Sequence, residues 1–156
     1  MPTITKIISG GQTGADRAAL DFAIAHGIPH GGWCPEERIA EDGVIPSHYQ
    51  LMELKGAGYR QRTRQNALDS DGTLIVNLGE LDGGSLQTQR FAELHGKPCL
   101  VVQVEEKMLP ESAGQILAWL RANRIMTLNV AGPRESKRPG IYRATLNLLY
   151  ACWAIK

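Results

Sequence analysis

The chain has 156 residues, with 17 Lys and Arg against 16 Asp and Glu and a formal charge of +1, a size that suits one domain built on one core. Hydrophobic content of 43% and charged content of 21% argue against wholesale disorder or a fibrous repeat, and near neutrality argues against binding nucleic acid by bulk charge. Cys34, Cys99 and Cys152 are odd in number and widely spaced, so they form neither a disulfide framework nor a C-x-x-C knuckle. No stretch approaches the roughly eighteen apolar residues of a membrane span, and Met1 to Ser9 lacks the pattern of a secretion signal; a cytoplasmic protein is expected.

Ile4, Ile7 and Ile8 form a short β-branched run that stops at Gly10-Gly11, and Ala15 to Ala25 then has the periodicity of a helix. Thr13 and Asp16 fit a capping box at its start, with Asp16 complementing the positive helix end. A short extended piece is expected over 28–33, followed from Cys34 to Ser47 by a long loop of Pro, Gly and acidic residues. Arg60 to Asp69 is read as a helix, 72–77 as a buried strand, Leu86 to His95 as a helix and Pro98 to Val104 as another buried strand. Pro110 to Ala122 is an amphipathic helix with Pro110 near its first position, Ile125 to Val130 a strand, and Ile141 to Trp153 an apolar closing helix. Strands alternating with helices at this interval predict βαβ crossovers: a three-layer α/β, Rossmann-like fold with a mostly parallel sheet, spanning 1–156 as one domain.

Three glycine-bearing loops follow predicted strands and precede helices: Gly10-Gly11-Gln12-Thr13-Gly14, Asp82-Gly83-Gly84-Ser85 and Ala131-Gly132-Pro133. All three fall on the carboxyl rim of the sheet, where such folds bind ligands, and together they favour a phosphate-bearing one. The first loop has neither G-x-G-x-x-G spacing nor a Gly-Lys-Ser/Thr ending, which argues against classical NAD binding and P-loop hydrolysis. Asp16 would repel a phosphate there unless it is turned away, paired with Arg17, or held against a sugar hydroxyl or an amine. Arg60, Arg62 and Arg64 form one basic cluster and Arg134, Lys137 and Arg138 a second. The histidines have no metal-ligand spacing and no G-x-S-x-G elbow occurs, so neither a metal site nor a catalytic nucleophile is assigned.

Ser9-Gly10-Gly11-Gln12-Thr13-Gly14-Ala15-Asp16, Gly32-Trp33-Cys34-Pro35, Ala40-Glu41-Asp42-Gly43, Arg62-Thr63 with Asn66, Asp69-Ser70-Asp71-Gly72-Thr73-Leu74 and Gly132-Pro133-Arg134-Glu135-Ser136 together resemble one family. It is the putative molybdenum cofactor carrier family, in the circularly permuted branch of the SLOG Rossmann-like superfamily. The resemblance spans nearly the whole chain. It implies a homo-oligomer that holds molybdenum cofactor, a pterin dithiolene with a terminal phosphate, and passes it on unchanged to molybdoenzymes or cofactor-synthesis proteins. Relatives in the superfamily bind nucleotides, which makes a nucleotide the alternative ligand. Carried over, Gly10, Gly11, Thr13 and Gly14 are anion-cradling positions, Gly83, Gly84 and Ser85 a second cradle, and Thr88 a hydroxyl donor. Superfamily hydrolases of nucleotide glycosidic bonds have a P-G-G-x-G-T-x-x-E pattern, whose Glu has no counterpart after Thr88 here.

The candidate ligand-binding set is thus Gly10, Gly11, Gln12, Thr13, Gly14, Arg62, Asn66, Asp69, Gly83, Gly84, Ser85, Thr88, Gly132 and Arg134, with Trp33 and Tyr59 as walls for a flat heterocycle. A non-catalytic carrier is the first reading. An enzyme acting on a nucleotide is the second, with Asp69 or Asp71 as general base. A partner-binding module using the apolar helix 141–153 is the third. Under the first, Gly11→Val is expected to abolish ligand binding in a folded protein.

Overall fold

A computed structural model describes residues 4–56, 58–104 and 109–155. Its central sheet has five strands, all parallel: β1 (Lys6–Ile8), β2 (His30–Gly31), β7 (Gly72–Asn77), β8 (Cys99–Gln103) and β9 (Thr127–Ala131), in the order β2-β1-β9-β7-β8. The helices between them are α1 (Ala15–Ala25), α2 (Tyr59–Asp69), α3 (Gly83–Leu94), α4 (Leu109–Ala122) and α5 (Ile141–Ala154). Packing of α1 and α4 against α5, and of α2 against α3, together with right-handed crossovers, sets three helices on one face and two on the other. This is the three-layer Rossmann-like arrangement expected from the alternation of elements.

The burial pattern explains why these segments are strands. All six residues of β7, GTLIVN, are buried, as a central parallel strand covered by helices on both faces requires. The main core joins Ile7, Leu74, Val76, Leu128 and Val130 of the sheet to Phe22, Ile116, Leu120, Leu148 and Leu149 of the helices. Burying side chains of this size contributes roughly 1.5–3 kcal/mol each relative to exposure.

Two expectations are corrected. The segment 34–47, read as a long loop, is folded: β3 (Trp33–Pro35), a 3-10 turn (Glu36–Arg38), and the strands β4 (Ile39–Ala40) and β5 (Gly43–Val44), which pair antiparallel. Strand β3 pairs in parallel with β6 (Met52–Leu54), and Cys34, Ala40, Ile45 and Tyr49 form a second small core with Leu20 of α1. Arg38 organises this lobe by donating to the carbonyls of Ile45, Pro46, Tyr49 and Leu51 at 2.8–3.3 Å. Strands of two or three residues carry too little alternation to be seen as such; one arginine satisfying four carbonyls adds to their short ladders.

The capping box is absent as well. Gly14, at φ 82°, is the N-cap of α1, and no side chain caps it. The Thr13 hydroxyl instead donates to Glu41 and accepts from the backbone N–H of Glu135 at 3.2 Å. Thr13 therefore ties the small lobe and the last loop to the first turn.

Candidate functional site

A cleft of about 380 Å³ opens at the carboxyl ends of β1, β9 and β7. Its position follows from connectivity. From β1 the chain crosses outward to β2, and from β7 it crosses the other way to β8, so the loops part above β9. Such a switch point leaves room that side chains do not fill, and open α/β sheets bind ligands there. The first loop and α1 supply Gln12 and Asp16; α2 supplies Tyr59, Arg62 and Thr63; α3 supplies Gly84, Ser85, Gln87 and Thr88; and the segment after β9 supplies Ala131 to Arg134 with Lys137.

Asp16 is 5% exposed, and its Oδ2 lies 3.8 Å from Arg62 Nη1 and accepts the backbone N–H of Gln12 at 3.3 Å. Burial pushes its carboxyl up to about 6, against the lowering effect of Arg62, the Gln12 amide, Arg17 and the Gly10 amide. Gly10 creates the niche. A Cβ on it would fall 1.8 Å from Arg62 Nη1 and 2.9 Å from Asp16 Oδ2, so the guanidinium occupies the space a side chain would take. Arg62 stacks on the Tyr59 ring at 5.7 Å, and its Nε is buried without a partner. Arg17, the partner considered for Asp16, faces elsewhere: it makes a bidentate pair with Asp42 at 2.9 and 3.1 Å and donates from Nε to the Gly11 carbonyl at 3.0 Å.

Across β9, the amino end of α3 faces the cleft with Gly84, Ser85 and Thr88. A Cβ at Gly84 would meet nothing within 4 Å, so the open amides of the first turn border free space. The Thr88 hydroxyl donates back to the Gly84 carbonyl at 2.9 Å. Lys137 pairs with Asp82 at 2.7 Å, which holds the Asp82 carboxyl below its usual range. No carboxylate among the described residues lies within ion-pair distance of Arg134, an exposed guanidinium on the rim.

Of the predicted set, Gln12, Arg62, Gly84, Ser85, Thr88, Gly132 and Arg134 come together at the cleft, with Tyr59 as a wall. Gly10, Gly11, Thr13, Gly14, Asn66, Asp69 and Gly83 do not line it. Asn66 is bonded both ways to the backbone of Trp33, at 2.8 and 3.0 Å, and Asp69 accepts from the Trp33 indole at 2.7 Å. Trp33 is therefore fixed to α2 rather than set against the cleft. Asp69 and Asp71 also precede β7, at the amino edge of the sheet, where Asp71 accepts the N–H groups of Met126 and Thr127. Asp16 is the carboxylate that sequence reasoning undervalued; its position two residues into a helix that follows a glycine turn was the available signal. Arg60 lies over Phe91 and Arg64 is exposed, so α2 turns only Arg62 of its three arginines inward.

Gly11 points away from the cleft. At φ +76°, its Cβ would meet Leu51 Cδ1 at 2.4 Å and Ile45 Cδ1 at 3.2 Å, in the small core. Gly11→Val is thus expected to destabilise the fold, by about 2 kcal/mol or more from backbone strain and overpacking, as measured by urea denaturation. A folded variant that merely loses ligand is not the expected outcome, because Gly11 packs into the small core and not against the cleft.

A parallel five-stranded sheet with a cleft above its switch point defines a Rossmann-like α/β protein, the class in which that cleft is the ligand site. Residues 7–153 match the model of the circularly permutated YpsA SLOG family, and the chain belongs to that family. Among solved structures it is similar, at 54% identity and a TM-score of 0.95, to a "Putative molybdenum carrier protein" from Syntrophus aciditrophicus SB, with 98% of this chain and 97% of that one covered. A comparison with curated proteins gives no match. Among the described residues no helix is long and apolar enough to cross a membrane.

Proposed function

We propose that this protein binds a phosphate-bearing small ligand in the switch-point cleft and returns it unchanged, and that the ligand is molybdenum cofactor. The observation that carries the reading is the meeting, in one cleft, of the open first turn of α3 with Arg134, a guanidinium with no carboxylate within ion-pair distance among the described residues. Helix amides and cations attract a terminal phosphate, with the helix dipole adding to the field. The remaining volume, walled by Tyr59, suits a flat ring system. Similarity to the "Putative molybdenum carrier protein" supports this choice over a nucleotide. The carrier acts as a cytoplasmic homo-oligomer and exchanges its cargo with molybdoenzymes or the proteins that build the cofactor.

A thermal-shift panel tests the reading, with adenine and guanine nucleotides, ADP-ribose, inorganic phosphate and anaerobically prepared molybdenum cofactor. At 100 times its dissociation constant the true ligand adds about 2.7 kcal/mol, a rise of roughly 5–10 °C for a domain of this size. Molybdenum cofactor is expected to give the largest shift and to be recovered intact. A larger shift with a nucleotide, followed by its breakdown, would replace the carrier by an enzyme.

A further inference from the structure

The carboxylate inside the cleft is the feature a phosphate carrier does not require. Asp16 lines the cleft and is nineteen-twentieths buried; the Arg62 ion pair and the Gln12 N–H fall on Oδ2, the Gly10 backbone N–H also favours the charged form, and Oδ1 accepts no hydrogen bond within 3.5 Å among the described residues and is not sealed from solvent. A carboxylate oxygen that reaches solvent inside a cleft is satisfied by water or by the donor of a ligand that displaces it. The charged groups facing it are Arg62 from α2 and Arg17 from its own helix, and Arg17 is committed to Asp42. Arg62 is held at 3.8 Å, outside hydrogen-bond range, so the pair neutralises charge without filling the acceptor sites of the carboxylate.

Its position narrows what can fill them. Asp16 follows β1 and the first turn of α3 follows β7, on either side of β9, so a ligand whose phosphate sat at α3 would turn its other end toward the carboxylate. Arg62 beside it disfavours a cationic amine. Tyr59 and Arg62 form a stacked, planar wall on the same side. Neutral, flat and carrying N–H donors side by side describes the amidine-like edge of a 2-amino-4-oxopyrimidine ring, in which a ring N–H and an exocyclic NH2 match the two oxygens of a carboxylate.

Resting on the carrier reading, we infer that Asp16 is the specificity residue of the cleft: it accepts the N–H and NH2 donors of a 2-amino-4-oxopyrimidine edge, and Arg62, seated against Gly10, is the positioning residue that holds it there. At pH 7.5 the carboxyl is ionised, since burial lifts it no further than about 6, so both oxygens accept. Charge-assisted bonds of this kind are the strong class, and losing them costs tenfold or more in affinity.

Titration calorimetry at pH 7.5 with two probes, neopterin monophosphate and inorganic phosphate, separates the two ends of the cleft. Asp16→Asn is expected to weaken neopterin monophosphate by about tenfold or more while leaving inorganic phosphate unchanged. Gly10→Ala, whose methyl would fall against the Arg62 guanidinium and Asp16 Oδ2, is expected to weaken neopterin monophosphate in the same direction. Wild-type affinity for neopterin monophosphate in Asp16→Asn would overturn the assignment, as would an equal loss of both probes. Failure of the wild-type protein to bind either probe would instead overturn the carrier reading on which it rests.

Discussion

Asp16→Asn is expected to raise the melting temperature at pH 7.5, although it removes one partner of an ion pair. The reason lies in the balance of burial and pairing. Asp16 titrates at about 6 in the folded chain against an ordinary value of 3.8, so the carboxylate is less stable in its niche than in water even with Arg62 beside it. Between these values the folded state holds more protons than the unfolded one, and stability therefore falls as pH rises through the window. Above about pH 6 the full cost is present, on the order of 3 kcal/mol. Asparagine keeps the shape without the charge and recovers much of this, a rise of roughly 5 °C or more for a domain of this size. Glu41, Asp42 and Asp82 are held below their usual range by hydrogen bonds and cations and act in the opposite direction, but they are exposed and contribute little. The difference between wild type and Asp16→Asn, measured by thermal denaturation from pH 4 to 8, isolates Asp16: near zero at pH 4 and maximal above 6. A variant less stable than wild type at pH 7.5 would mean that the Arg62 pair outweighs the burial.

Gly132→Ala is expected to have the opposite effect and one at least as large. A Cβ at Gly132 would lie 2.4 Å from the Val76 carbonyl oxygen and 2.5 Å from the Ala15 Cβ, and neither can swing aside. Val76 belongs to the buried strand β7 and Ala15 is the first residue of α1, so the methyl group would push β9 from its neighbour and α1 from the sheet together. Overpacking of this kind costs about 3 kcal/mol, and a fall in melting temperature of roughly 6–12 °C is expected. Near-native stability in this variant would show that the crossing of the last loop over α1 has room to relax. Gly132 lines the cleft, yet its absent side chain serves close packing of helix and strand first. Gly14 has a similar burden, its Cβ position lying 2.4 Å from the Pro133 carbonyl oxygen at φ +82°.

These glycines mark the boundary of what periodicity and turn chemistry make legible. That glycines stand at three strand ends is plain in the sequence; what each one meets is not. Gly10 makes space for Arg62, Gly11 for Leu51, Gly132 for Ala15 and Val76, while Gly84 alone of the four leaves open space at the cleft. The partners come from residues as far apart in sequence as 15 and 132, and local patterns carry no information about them. The lobe at 34–54 was hidden for a related reason. Its strands are held by Arg38 and by burial against Leu20, not by an alternation of their own.

The sequence by itself determined the order of the main strands and helices, the parallel α/β class and the placing of glycine loops at the carboxyl ends of its strands, where the cleft opens. Hydrophobic runs must be buried and glycine turns must follow strands, and both requirements act over a few residues. Only the tertiary structure decided which side chains share the cleft. Arg62, rather than Arg60 or Arg64, meets Asp16 because Gly10 lacks a side chain, and Trp33 is taken from the cleft by Asn66 and Asp69. Competition among donors and acceptors for one another in a crowded volume settles such pairings, and it operates only once the chain has folded.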